Sequence, residues 1–125
     1  MLYCLIGVFA GGGIGATLRY LLTICTRNLF SSTLYGTFIS NMLGCFVIGI
    51  AFYFVTTFSE YMSENIRAFV ITGLLGGLTT FSTFSLEIFS MLTEQRFYAA
   101  FTYMILSVGA GLVFLFLGFT GAKYL

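Results

Sequence analysis

The chain has 125 residues, 59% of them hydrophobic and only 7% charged, with a formal net charge of +1. Soluble domains carry about 25% charged residues, so five cations and four acids cannot keep a globule rich in Phe and Leu in water. A charge near zero without a basic cluster excludes a nucleic-acid binder, high hydrophobicity excludes disorder, and the length allows one domain at most, residues 1–125. An integral membrane protein remains.

The inventory of reactive groups is short. There is no His, Asp, Trp or Pro, and the acids are Glu60, Glu64, Glu87 and Glu94. Acid–base, triad and zinc chemistry draw mostly on His or on paired carboxylates, so composition argues against an enzyme. Cys4, Cys25 and Cys45 show no metal-ligand spacing and are read as small buried hydrophobes, with disulfides neither required nor excluded.

Charges fall at 19, 27, 60, 64, 67, 87, 94, 96 and 123, leaving charge-free runs over 1–18, 28–59, 68–86 and 97–122. A bilayer-spanning helix needs about 20 mostly apolar residues. Each run therefore predicts one helix, at about 2–25, 34–57, 67–91 and 97–121. Strict alternation, the mark of a membrane β-barrel, is missing from CFVIGIAFYF and MILSVGAGLVFLFLGF.

The first predicted helix rivals a signal peptide. It begins MLYCLIGVFAGGGIG with no Lys or Arg, and Arg19 follows the apolar run rather than preceding it, so it reads as a retained span. Gly7, Gly11 and Gly15 recur at four-residue spacing, which marks close helix–helix contact. Arg19 either snorkels to the interface or lends positive potential to an anion vestibule.

The second helix repeats the stripe with Gly36, Ser40 and Gly44. Asn41 is an amide inside an apolar run, with Thr37 one turn earlier on the same face. Unpartnered amides are costly in hydrocarbon. Asn41 therefore either glues helices together or offers its NH₂ to an anion.

The third helix contains TGLLGGLTTFSTFS (72–85), with six hydroxyls and three glycines in fourteen residues. Gly-Gly before Thr-Thr is poor helix sequence, and irregular backbone at membrane depth survives only inside protein or along a cavity. Two readings stand. One is a bent packing helix with hydroxyls bonded back to its own carbonyls. The other is a broken helix whose freed carbonyls hold a cation and whose amides face an anion. Phe81 and Phe84, three apart, share a face. Their positive ring edges could solvate a small anion without trapping it. Glu87 reads as a solvated acid near the helix end. In the fourth helix, Ser107 and Gly111 mark another close contact.

Orientation signals are nearly balanced. Arg67 and Lys123 lie on the side of the termini; Arg27 and Arg96 lie on the other. A chain without a positive-inside bias can insert both ways, and oppositely inserted copies can pair about an axis in the membrane plane.

Three segments, GGGIGATLRY, GTFISNMLG and TGLLGGLTTFSTFSLE, resemble the signature segments of the Fluc/CrcB fluoride channels, and the resemblance extends over essentially the whole chain. It implies an all-α membrane fold of four spans, the third broken near its middle, in a dual-topology antiparallel dimer in the bacterial plasma membrane. It implies passive export of toxic fluoride through two pores flanking a structural, non-transported Na⁺. By position, Asn41, Phe81 and Phe84 resemble the pore asparagine and phenylalanine box. Ser82, Thr83, Ser85 and Ser107 would add hydroxyls. The carbonyls of Gly76 and Thr79 resemble the Na⁺ ligands, and Arg19 the arginine after the Gly-rich stretch.

One departure is visible. The family's helix-four hydroxyl track reads here Tyr103, Ser107, Gly111, Leu115, thinned in its outer half. The partner would be a second copy or a paralogue. The competing readings are a small dual-topology multidrug or cation transporter, which would want a carboxylate deep in a helix, and a non-conducting partner subunit.

Overall fold

The computed structural model describes residues 1–58 and 63–124. The centre of the connection expected at 58–66, with Glu60, lies outside the described residues. Among those residues there is no strand, and four helical spans are long and apolar enough to cross a membrane.

Helix α1 (Leu2–Phe30) runs five residues past its expected end at 25. Arg27 sits in its last turn, where a cation suits the negative end of the helix dipole, so this charge extends the helix instead of ending it. A tight turn follows, with Ser31 in the left-handed region (φ 54°) and its N–H donating to the Arg27 carbonyl. Helix α2 (Leu34–Thr57) matches the expected span.

The third span, Glu64–Thr93, starts three residues early because Ser63 caps it by accepting from Ile66 N–H. It comprises α3 (Glu64–Arg67), a π-helical run over Ala68–Leu75, α4 (Gly76–Leu78) and α5 (Phe81–Thr93). A turn with Gln95 at φ 60° leads to α6 (Phe97–Gly121), which ends in one 3₁₀ turn.

Two helix pairs build the bundle: α1 lies along the first half of the third span, and α2 along α6. Glycine makes both approaches possible. A methyl group at Gly11 would land on the Phe69 carbonyl, and one at Gly15 on the Leu74 carbonyl. In the second pair, Gly49 faces the Leu115 carbonyl and Gly118 the Phe46 carbonyl. Without a hydrophobic drive between helices in lipid, such backbone-close packing supplies the attraction. The expected stripes in α1 and α2 are thus real contacts, while Gly49 and Gly118 join them unanticipated.

The interior mixes apolar and polar residues, and large apolar side chains cover the outside. Thr26, Thr37, Ser40 and Ser107 are buried, while Phe9, Leu112 and Phe116 are at least 64% exposed on the outer surface. The cysteines depart from expectation as well. None is fully buried, all three thiols are free, and Cys25 is exposed. A thiol on a lipid-facing surface needs no burial in protein to stay out of water.

Candidate ion-pathway site at the break in the third span

The third span unwinds at two residues. Thr79 (φ −83°, ψ 154°) and Thr80 (φ −150°, ψ 115°) are extended, and helix resumes at Phe81. Of the two backbone courses left open by the sequence, the structure adopts the break, while Thr79 Oγ1 still bonds back to the Leu75 carbonyl at 2.8 Å. Four backbone groups at the break find partners. Thr79 N–H still reaches the Leu75 carbonyl at 3.0 Å. Thr80 N–H donates to Asn41 Oδ1 at 2.8 Å, and Asn41 Nδ2 donates to the Thr80 carbonyl at 3.3 Å. The Gly77 carbonyl accepts from Arg19 Nε at 3.1 Å. Thr80 Oγ1 caps α5 by accepting from Thr83 N–H at 3.2 Å, the normal function of a threonine N-cap.

This pattern strips two carbonyls of their helical donors. In a continuous helix Gly76 O would accept from Thr80 N–H, and Thr79 O from Thr83 N–H. Both donors are bonded elsewhere.

Beside the break lies a cavity of about 460 Å³, lined by Asn41, Cys45, Gly76, Thr79, Thr80, Phe81, Phe84 and Ser107 among others. Three of the four spans contribute to it, since Asn41 comes from α2 and Ser107 from α6. Gly111 and Leu115 line it too, so the thinned part of the helix-four track borders the same space. Phe84 is buried at 8% exposure with its ring 5.4 Å from that of Tyr103, while Phe81, 6.1 Å from Phe84, is 81% exposed. The two rings therefore share a face of α5 but differ in surroundings. Ser107 Oγ is buried and makes no hydrogen bond of good geometry among the described residues, with the Tyr103 hydroxyl as its neighbouring polar group.

Other expected residues sit apart from this cavity. Ser82 and Thr83 hydroxyls lie 3.2 and 3.0 Å from Thr80 Oγ1, which ties them to the cap. Ser85 is half-buried one turn further on. Arg19 does not line this cavity; its guanidinium Nε donates to the Gly77 carbonyl. A seven-residue separation along α1 carries Gly12, packed against Gly77, up to Arg19, so the arginine arrives beside the break.

Glu87 is the clearest correction. It is half-buried within α5, not a solvated acid at a helix end. Thr37 Oγ1 donates to its Oε1 at 2.6 Å and Tyr103 Oη to its Oε2 at 2.8 Å. The carboxylate joins α2, α5 and α6. In the sequence Thr37 stands out only for its register with Asn41, and Tyr103 only for its place in the helix-four track. A partner on another helix has no fixed sequence offset, so their convergence on Glu87 left no local signal.

Residues 6–119 match the family described as "CrcB-like protein, Camphor Resistance (CrcB)". The chain is also similar to proteins named "Fluoride-specific ion channel FluC". It is 38% identical to the one from Desulfotalea psychrophila, over 92% of this chain and 88% of that protein. Identity is 43% to that of Clostridium perfringens (86% and 84%) and 41% to that of Chloroflexus aurantiacus (91% and 90%). With the family match across nearly its whole length and four spans of membrane-crossing length, this chain belongs to the CrcB family and is a multi-pass protein of the bacterial plasma membrane.

Proposed function

We propose that this chain is a passive, fluoride-specific channel that lets cytoplasmic fluoride leave the cell, working as a dual-topology dimer with a structural sodium ion. The observation that carries the reading is the cavity where Asn41, Phe84 and Ser107 meet the broken span. Fluoride is small and strongly hydrated, so a pathway must replace water with N–H and O–H donors. Ser107 Oγ makes no hydrogen bond of good geometry among the described residues, and Asn41 Nδ2 keeps one of its two protons. The edges of Phe81 and Phe84 add weak attraction that permits release. Ser82, Thr83 and Ser85 extend the hydroxyl-rich stretch at the start of α5.

The residues present fit a sodium ion. Gly76 and Thr79 offer neutral carbonyl oxygens freed by the break, the donor type by which unwound membrane helices hold Na⁺. A second copy would double that set. The bound ion would supply positive charge at the centre of the assembly. Arg19 helps by holding the neighbouring Gly77 carbonyl. The dimer is supported by Phe81, whose ring stands exposed beside the open cavity, and by the near-equal cations on the two sides. Of these, Arg96 lies 3.3 Å from Glu94.

Glu87 favours a second reading in one respect, since a carboxylate inside a span is what a proton-coupled multidrug or cation exporter requires. One assay separates the two. Vesicles reconstituted with this chain alone and loaded with fluoride should release it with no imposed proton gradient. No fluoride release, with proton-driven transport of organic cations instead, would establish the exporter. Release only after a paralogue is co-reconstituted would identify a heterodimer in which this chain is one partner.

A further inference from the structure

Asn41 enters the channel reading as an anion donor, yet the hydrogen bonds give most of its amide to another task. Thr80 N–H is a donor only, so the Asn41 atom 2.8 Å from it must be the oxygen, and the nitrogen then falls 3.3 Å from the Thr80 carbonyl. One side chain thus occupies both backbone groups of a single residue at the break. Such a two-point grip imitates the pairing of an extended strand, and Thr80 is extended (φ −150°, ψ 115°). The alternative partner for Thr80 N–H is the Gly76 carbonyl one turn earlier. Taking it would add the helical bond that the break lacks and would turn Phe81 and Phe84 about the helix axis.

We propose that Asn41 is the positioning residue of the break: its carboxamide keeps Thr80 out of the helix, and thereby frees the Gly76 carbonyl and aims the two phenylalanines. The residue acts at a distance from the anion as well as beside it. Gly44, one turn further along α2, supports the same contact, because its missing side chain leaves room for the Thr79 methyl group. Two adjacent extended residues are therefore seated on one face of α2. The role rests on the channel reading only in calling the cavity an anion path.

Nuclear magnetic resonance of the detergent-solubilised full chain, with ¹⁵N,¹³C-threonine, tests it without reference to fluoride. In the unmodified protein, Thr80 should show the Cα and Cβ shifts of an extended residue and a slowly exchanging amide. Helical shifts there, or an amide exchanging as fast as an exposed one, would overturn the proposal without any variant. In Asn41→Leu, Thr80 should either move to helical shifts or exchange about two- to tenfold faster, as expected for loss of one net hydrogen bond. Unchanged shifts and exchange would refute the grip.

Asn41→Asp keeps an acceptor for Thr80 N–H while adding negative charge. It should retain the extended shifts and the slow amide yet lose fluoride release from vesicles. Thr80 behaving as in a continuous helix would overturn the proposal even if Asn41→Leu does not fold. Failure of the unmodified chain to release fluoride would sink the channel reading and leave these shifts as they are.

Discussion

Glu87 accepts from two hydroxyls on two other helices, so its removal strands both. Glu87→Ala should lower stability by about 1–3 kcal/mol, the desolvation cost of polar groups left unpaired, seen as a lower unfolding temperature in detergent. Glu87→Gln keeps one acceptor oxygen, and should lose less. Phe84 is buried against Tyr103 and Phe81 is exposed, so equal substitutions should separate two roles. Phe84→Ile should cost stability, about 1 kcal/mol or more, as well as flux. Phe81→Ile should leave stability of the single subunit within about 0.5 kcal/mol and still impair fluoride release. Undiminished release in both when a paralogue is co-reconstituted would indicate a non-conducting subunit. At this scale the sequence marked Asn41 and both rings as unusual, because an amide in an apolar run and FSTF beside Thr-Thr break local rules. It could not assign what Asn41 touches, since Thr80 lies 39 residues away.

The third span shows how much a local pattern can carry. Gly76-Gly77 followed by Thr79-Thr80 predicted weak helix at one place, and the chain unwinds there. The π-helical run just before it had no counterpart in the reading, because π and α turns differ by one residue per bond and share the same composition. Glycine substitutions separate packing from propensity. A methyl group at Gly15 would meet the Leu74 carbonyl, whereas one at Gly13 has nothing within 4 Å. Gly15→Ala should destabilise the fold by about 1–3 kcal/mol through overpacking, and Gly13→Ala should not destabilise it, as thermal unfolding of the two proteins would register. Both glycines sit in the same GGGIG segment, and only the neighbour across the helix pair distinguishes them.

At the scale of the whole molecule, the balance of cations governs insertion. Two lysines added beside Lys123 should bias the chain to one orientation. Accessibility of a cysteine placed at either terminus would then become one-sided. Fluoride release by that variant alone should fall steeply, and return when a variant biased the other way, with lysines beside Arg96, is produced with it. Full release by the one-sided variant alone would dismiss the dual-topology dimer.

Composition by itself determined that the chain lives in a membrane, and the gaps between charges determined that it crosses four times, because every ionised side chain in hydrocarbon is costly. Short-range order also marked where the third span is weakest, since helix propensity is a property of neighbours in sequence, but left a bent helix and a broken one equally open. The tertiary structure alone decided which helices pair, that Glu87 is gripped by Thr37 and Tyr103, and that Arg19 and Asn41 hold the break from two sides. Those outcomes depend on groups 16 to 58 residues apart, whose meeting is set by helix packing in three dimensions and leaves no periodic trace along the chain.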